Sequence, residues 1–568
     1  MRLIIKEFLS QLGESGELDR LLPDLLTRMR IVPISRAQVG VRQNGVDVAG
    51  IGVDTNGVRR LYLFVLKVGD LGRRDWDGGV NTVRVSLNQI LDSYLQCNVL
   101  PEYRDLPITV VICSTGDLKQ EVQTDFAGFC ARNNSISLDF TFWSGDHLAE
   151  LIDQYLFDEY VIDPDQRADL RRALALIGSR DYDLRHAYDL LKALLIEGAE
   201  ASVCLGRTGR KRFVRQLKTA ALVLEIIFRW AADAGNLLNA FKVGERCCLW
   251  AWEGARLRGL AGHPSIKRAV KEIFRSHQRI CEAYLQKLRP YYSARDGVSL
   301  FSRENALITN TLFEQIGVLA VIGLVHIQVA HFSTDEEQVR RAIDQAGEAA
   351  GALLELISNN PSSGSPRYDG NAIDIALALM LLYVAGGHEQ AKQWLEDLAA
   401  RITFSWQTSN SFPISTDSFD DLLALELGIL DQGQISKLKD LSTLIPVIMH
   451  WCAMLGESAL YERLSQLQAN VFKDVCLQLW YPDQATEPLI YMQQAQYDSG
   501  TTEAPIRFPA DIAGFLGAQR LRAQSGNFVG PEAFSAVKEG LPVLIPMASR
   551  HFRTPLAPQF WLPDVPAA

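Results

Sequence analysis

The chain has 568 residues, of which 48% are hydrophobic, and it carries a net charge of −10 with a mean hydropathy near zero. This composition excludes an intrinsically disordered chain, and the length allows several domains. The nine cysteines contain no CxxC pair. Free thiols in a reducing cytosol explain this spacing better than disulfides or a zinc site, so a cytoplasmic location is expected.

No secretory leader is expected, because Lys6 and Glu7 interrupt the first apolar residues. The longest apolar run, residues 316–330, is short for a membrane span and contains His326 and Gln328. This run is predicted to be a buried helix, and no association with a membrane is expected.

The N-terminal quarter of the chain alternates helical and extended patterns. Residues 3–29 favour helix interrupted at Pro23, and residues 81–97 have the apolar spacing of an amphipathic helix. The later elements are predicted as a strand, a helix and a strand at 107–114, 117–132 and 136–143.

Two further predicted strands, 45–53 and 60–68, flank the tetrapeptide Asp54-Thr55-Asn56-Gly57. Asn-Gly between apolar runs is the strongest short signal for a β-hairpin. Asp47 then lies on one strand and Lys67 on its antiparallel neighbour. A lysine in an apolar strand needs a partner, because a buried ammonium is costly alone. The two side chains are expected on one face of the sheet, open to a cleft.

The predicted order α-β-β-α-β-α-β, with Asp47 and Lys67 on the hairpin, resembles the restriction-endonuclease-like (PD-(D/E)xK) nucleases. The resemblance covers the first quarter of the chain. It implies an α/β nuclease-like domain in which Asp47 and Lys67 are catalytic. Asp47 would bind Mg²⁺ through oxygen, and Lys67 would orient the attacking water and stabilise charge on the phosphate.

One position departs from the pattern of that family. The family has an acidic residue or glutamine two positions before the lysine, where this chain has Val65. Asp70 is the predicted second metal ligand, and Asp54 and Glu7 are alternatives. Each of these carboxylates is also consistent with an ordinary solvated side chain. Asp47 and Lys67 are therefore consistent with either an active nuclease site or a structural ion pair.

Three arginines follow Lys67 closely, namely Arg73, Arg74 and Arg84. They are predicted to contact DNA phosphates near the start of the crossing helix, where helix N-termini also favour anions. The alternative is a solvated loop anchored by Trp76.

Beyond the first quarter the pattern is almost entirely helical and has no fixed repeat period. A large all-α helical array is expected, with a polar linker or exposed loop at 358–371. The predicted regions are the nuclease-like domain 1–162, helical regions 163–357 and 372–480, and a Pro-rich irregular C-terminal segment 481–568 packed on the helices.

Positive charge is concentrated between residues 205 and 290, which contain eighteen Lys or Arg against six Asp or Glu. The net of +12 leaves −22 for the rest of the chain, an asymmetry typical of a surface that faces a polyanion or an acidic partner. On a predicted helix at 265–289, the face with Lys267, Lys271 and Arg275 is expected to bind DNA backbone. A solvated face is the alternative.

The run at 206–211, GRTGRK, lacks the spacing of an ATP-binding phosphate loop.

These patterns predict a DNA-acting, nuclease-fold component of a prokaryotic defence system. Its metal-dependent cleavage is expected to be weak or activated by a partner. The alternative is an inactive nuclease-like scaffold or DNA-binding subunit of a multi-protein defence complex. The defence role follows from the resemblance in architecture. A partner protein is expected in either case, and homo-oligomerisation is left open.

Overall fold

The computed structural model describes residues 2–10, 12, 17–35, 44–54, 56–79, 82–156, 164–179, 181–199, 206–301, 305–409, 414–416, 418–524 and 529–556. The chain forms two compact units, residues 1–177 with 225–234, and residues 178–224 with 235–568. The first contains a mixed α/β sheet and the second is mainly helical, which confirms the expected general class. The predicted boundary at residue 162 lies outside the described residues.

The first unit is built on a five-stranded sheet of order β1-β2-β3-β4-β5. The first three strands are antiparallel, whereas β3, β4 and β5 run parallel. The strands are β1 (Val32–Ser35), β2 (Val48–Val53), β3 (Arg59–Lys67), β4 (Ile108–Ser114) and β5 (Leu138–Trp143). The predicted hairpin is confirmed, and Gly57 closes its turn with φ +81° and a hydrogen bond from its N–H to the Asp54 carbonyl.

Eight complete α-helices accompany this sheet in the described part of the first unit. They are α1 (Arg2–Ser10), α2 (Asp19–Arg28), α3 (Arg73–Asp77), α4 (Val83–Gln89), α5 (Leu95–Cys97), α6 (Gln120–Asn133), α7 (Gly145–Tyr155) and α8 (Pro164–Leu176). A π-helical turn, Ile90–Tyr94, makes α4 and α5 continuous. One face of the sheet forms an apolar core with α3, α4 and α6, in which Trp76 and Phe129 are buried.

Sequence patterns missed two elements of this unit. Strand β1 has four residues and contains Pro33, and a proline is tolerated in a strand only at an edge. Helix α3 has five residues, too few to show a helical period.

The second unit is mainly an array of helices. In chain order they are α9 (Arg185–Leu195), α10 (Arg207–Asp233), α11 (Leu237–Leu257), α12 (Pro264–Tyr292), α13 (Asn305–Phe332), α14 (Glu336–Asn359), α15 (Asn371–Val384), α16 (His388–Ser409), α17 (Phe419–Glu426), α18 (Gln432–Lys437), α19 (Leu444–Leu455), α20 (Ser458–Asn470), α21 (Glu487–Ile490), α22 (Ile512–Gln524), α23 (Ser535–Lys538) and α24 (Leu544–Phe552). The last part of α10, from residue 225 onward, belongs to the first unit. Four short strands lie among the helices, β6 (Leu441–Ser442), β7 (Cys476–Leu477), β8 (Leu479–Tyr481) and β9 (Thr501–Glu503).

Helix α13 contains the long apolar run predicted to be buried. Its portion Ile308–Phe332 is long and apolar enough to cross a membrane, but 83% of its most apolar window is buried inside the protein. Burial of this kind is typical of the central helix of a folded domain.

The polar stretch 358–371 is corrected from an exposed loop to a packed connection. Ser363 and Tyr368 are buried, as is Asp369. The Asp369 carboxylate accepts hydrogen bonds from the backbone N–H groups of Thr443 at 2.6 Å and Leu444 at 3.0 Å. It therefore satisfies the first turn of α19.

The C-terminal segment is also more regular than its proline content indicates. Helix α24 is largely buried, and the Arg550 guanidinium donates to Glu245 of α11 with an Nε–Oε1 distance of 2.7 Å. Next to it, Arg553 forms two hydrogen bonds of 2.9 and 3.0 Å with Asp374 of α15. These charge-assisted bonds fix α24 to two helices of the array.

Candidate functional site

The candidate site lies at one edge of the sheet of the first unit. Because β3, β4 and β5 are parallel, their carboxyl ends share this edge, and β2 begins there because it is antiparallel to β3. Lys67 is the last residue of β3, and Asp47 directly precedes β2. Both side chains are half-buried. The hairpin therefore brings Asp47 and Lys67 to the same end of adjacent strands.

The Asp47 carboxylate is held against β3. Its backbone N–H donates to the Phe64 carbonyl at 2.9 Å, and its Oδ2 accepts from the Leu66 N–H at 2.7 Å. Asp47 thus contacts the residue immediately before Lys67. One of its two oxygens is engaged by the backbone, which limits how it can bind a metal.

Position 65, where the nuclease family has an acidic residue, lies in the apolar core of this unit. The Val65 side chain is 1% exposed and belongs to this core with Leu63 and Ile112. A carboxylate at position 65 would have to enter that core, where an unpaired charge is costly. The valine is therefore part of the packing of the sheet.

Asp70 lies in the loop after β3 and is exposed. Its Oδ1 accepts a hydrogen bond of 3.0 Å from the backbone N–H of Asp117, in the loop after β4. The Leu71 N–H in turn donates to the Asp117 carbonyl at 2.9 Å. Asp70 therefore ties two loops of the edge together.

A second lysine, Lys6 of α1, lies among carboxylates of this edge. Its Nζ is 2.7 Å from Asp146 Oδ2 and 3.9 Å from Asp117 Oδ2. Its pKa is raised, chiefly by the hydrogen bond to Asp146, with Asp117 and Asp70 contributing through their charge. Two carboxylates thus lie within 4 Å of the Lys6 ammonium, and Asp70 acts on it only through its charge. Sequence patterns missed this cluster, although each acid follows the carboxyl end of a parallel strand.

Asp54 is excluded as the missing ligand. It follows the far end of β2, and the strand between it and Asp47 spans about 20 Å at the usual rise per residue. Its carboxylate accepts from the Val58 N–H at 2.9 Å and pairs with Arg60 at 2.7 Å. Both interactions lower the pKa of Asp54, the backbone bond from Val58 most strongly. Asp54 is therefore a turn residue.

Glycines let the segments around this edge approach one another closely. A Cβ atom at Gly116 would lie 2.3 Å from the Gly69 carbonyl carbon, and one at Gly145 would lie 2.1 Å from the Thr115 oxygen. At Gly45, where φ is +85°, a Cβ would lie 2.2 Å from the backbone oxygen of Ser86. Helix α4 therefore packs directly against the segment that leads into Asp47.

The predicted phosphate-binding arginines are exposed. Arg73 and Arg74 lie on α3, and Arg84 on α4 has its Nη1 3.8 Å from Asp77 Oδ2. Helix α3 is held by the buried Trp76, which packs edge-on against Phe129 with ring centroids 6.1 Å apart. The structure thus places these arginines at the surface on an anchored element.

The predicted DNA-binding face of α12 is partly occupied within its own unit. Lys267 forms an ion pair with Glu539, and Lys271 Nζ lies 4.4 Å from the centre of the Phe332 ring. Arg275 is exposed. Two of the three predicted cations therefore already have intramolecular partners.

Within the described residues, no group of three or more His, Cys, Asp or Glu is arranged to hold a metal ion. One oxygen of Asp47 is engaged by the backbone and Val65 is buried, so the residues at this edge offer few oxygen ligands and fit a Mg²⁺ site poorly. Comparisons with protein-family models, curated proteins and solved structures found no match.

Proposed function

We propose that this chain is the DNA-acting, nuclease-fold component of a prokaryotic defence system, with phosphodiester cleavage that is weak or depends on a partner. The observation that carries the proposal is the meeting of Asp47 and Lys67 at one edge of the sheet, on neighbouring antiparallel strands. The restriction-endonuclease-like nucleases, which the sequence resembles, have an acid and a lysine on a hairpin of this kind.

The roles proposed for the two residues follow from their chemistry. The Lys67 ammonium would stabilise negative charge on a phosphate at the sheet edge and orient a water molecule. Asp47 would contribute one carboxylate ligand to a metal ion. Because Mg²⁺ needs several oxygen ligands, a site with one committed carboxylate would bind it weakly. Cleavage would then depend on a partner, or on the DNA phosphate, to complete the coordination.

An inactive scaffold or DNA-binding subunit is the second candidate function. Two observations favour it, the burial of Val65 in the core and the presence of Lys6 among Asp70, Asp117 and Asp146. An ammonium among those carboxylates neutralises the charge that would otherwise attract a cation. In this alternative the edge binds DNA or a partner protein without cutting.

Nicking of supercoiled plasmid with Mg²⁺ or Mn²⁺ tests the proposal. The isolated protein should cut slowly, and that cutting should disappear in Asp47→Ala and Lys67→Ala. Asp125→Ala removes an exposed carboxylate on α6 and should behave like wild type. Cutting that survives both site variants would contradict the proposal. Absence of cutting in all proteins, with and without candidate partners, would favour the scaffold.

A further inference from the structure

The first half of helix α10 carries the densest positive charge in the basic segment. Between residues 206 and 224 there are no Asp or Glu residues. The same stretch contains six cations, Arg207, Arg210, Lys211, Arg212, Arg215 and Lys218.

The buried apolar residues of this helix show which of its sides faces the protein and which faces solvent. Phe213 and Leu217 are buried, and the Arg258 guanidinium lies 4.3 Å from the centre of the Phe213 ring. At 100° per residue, Arg207, Lys211 and Arg215 fall on the opposite side, and all three are exposed. Successive members are four residues apart, about 6 Å along the helix axis. They form a row of exposed charges that turns by about 40° around the helix axis at each step.

Most cations elsewhere in the basic segment interact with other groups of the protein. Ion pairs join Lys242 to Glu314, Arg256 to Glu253, Lys267 to Glu539 and Arg289 to Glu355. By contrast, none of the described carboxylates forms an ion pair with Arg207, Lys211 or Arg215. The unbalanced charge of the segment is therefore concentrated on α10 rather than on the predicted face of α12.

The composition of the α10 surface points to phosphate rather than to an acidic protein. Protein interfaces usually have an apolar centre with anchoring side chains. No large hydrophobic residue of 206–224 is exposed. Backbone contacts to nucleic acid need only a row of cations and carry no sequence information.

We propose that the exposed face of α10, formed by Arg207, Lys211 and Arg215, binds the phosphate backbone of nucleic acid. This deepens the proposed function by assigning DNA contact to a surface of the second unit, and it rests only on the DNA-acting half of that function. It does not require the sheet edge to cut.

The test is the affinity of the full-length protein for a fluorescent 30-base-pair duplex, measured without divalent metal at several salt concentrations. The triple variant Arg207→Glu/Lys211→Glu/Arg215→Glu should bind at least tenfold more weakly. Its logarithmic salt slope should fall by about three, since each duplex phosphate contact contributes about 0.9.

The matched control is Lys267→Glu/Lys271→Glu/Arg275→Glu, which makes the same charge change on α12. It should lower the affinity and the slope less than the α10 variant does. If circular dichroism shows that the charge-reversed α10 variant does not fold, a milder variant, Arg207→Gln/Lys211→Gln/Arg215→Gln, takes its place. It should show a smaller loss in the same direction.

Unchanged affinity and slope in the α10 variants would overturn the inference, as would a larger loss in the α12 control. Tighter binding of polyglutamate than of DNA would also overturn it and assign the face to an acidic protein. Duplex binding that survives Asp47→Ala, in a protein that never cuts, would reject the catalytic half of the proposed function and leave the α10 surface supported.

Discussion

At the scale of single residues, position 65 determines whether a second strand residue can supply a carboxylate to the sheet edge. The absence of the expected acid was visible in the sequence, but its consequence depends on burial. Val65 is 1% exposed and packs with the apolar core of the first unit. An acid introduced there must enter the core before it can reach the edge.

Val65→Glu is therefore expected to destabilise the protein without creating a nuclease. Burying a polar group without a partner costs about 3 kcal/mol or more, and urea unfolding would measure that loss. Val53→Glu is the control, because Val53 is 61% exposed at the end of β2. A Val65→Glu protein that is as stable as wild type and cuts DNA would contradict this account.

A second residue-scale prediction concerns His326 on α13. Burial lowers its pKa to about 4, and its ring nitrogens have no hydrogen-bond partner among the described residues. The folded state therefore holds a neutral ring, whereas the unfolded chain takes up a proton below about pH 6.5. The stability that this difference provides is present above pH 6.5 and is lost as the pH falls towards 4.

His326→Leu should consequently reduce the loss of stability between pH 7.5 and pH 5.0 by about 2 kcal/mol. Chemical denaturation at the two pH values measures the difference. His331→Leu, at an exposed position of the same helix, should retain the pH dependence of wild type. An unchanged pH dependence in His326→Leu would show that this ring is protonated or solvated in the folded protein.

At the scale of elements, helix α24 shows how buried charge organises the second unit. Burial alone would raise the pKa of Glu245, but Arg550 and His551 outweigh it and hold the value at about 2. Both members of the Glu245–Arg550 pair are buried. If one is removed, water therefore cannot solvate the charge of the other.

Arg550→Leu is expected to cost about 4 kcal/mol of unfolding free energy, because it leaves the buried Glu245 charge without its guanidinium partner. The double variant Glu245→Leu/Arg550→Leu should recover a large part of this loss. Urea unfolding of the two single variants and the double variant gives the coupling energy. Additive losses would show that the two side chains do not stabilise one another.

The elements that sequence patterns predicted are those with strong local signals. The β2–β3 hairpin was predictable because Asn56-Gly57 fixes its turn. Helix α24 was not, because prolines at 542 and 546 suggested irregular chain. Pro546 lies in the first turn of the helix, where a missing N–H costs nothing.

The candidate site was predictable only in part, for a similar reason. Asp47 and Lys67 are joined by a local hairpin, so their proximity follows from one turn. Lys6, Asp117 and Asp146 meet through the order of the parallel strands and the packing of α1 beside α7. A single sequence carries no local signal for such a long-range arrangement.

At the scale of the whole molecule, the structure shows where the excess positive charge of the basic segment lies. The +12 of the basic segment includes many cations with internal partners, and the exposed remainder is concentrated on α10. The hairpin with Asp47 and Lys67 in the α/β unit and the cationic surface of the helical unit are the basis of our proposal that the protein holds DNA and acts on it. Each unit can be tested separately by substitution in the full-length chain.

The most direct test of the central claim measures DNA breakage in cells that can supply a trigger or partner. A prokaryotic host would express wild type, Asp47→Ala or Lys67→Ala at equal levels and be challenged with phages. We predict broken DNA and reduced phage yield with wild type, and loss of both effects in the two variants. Equal DNA integrity and equal phage yield in all three strains would contradict it.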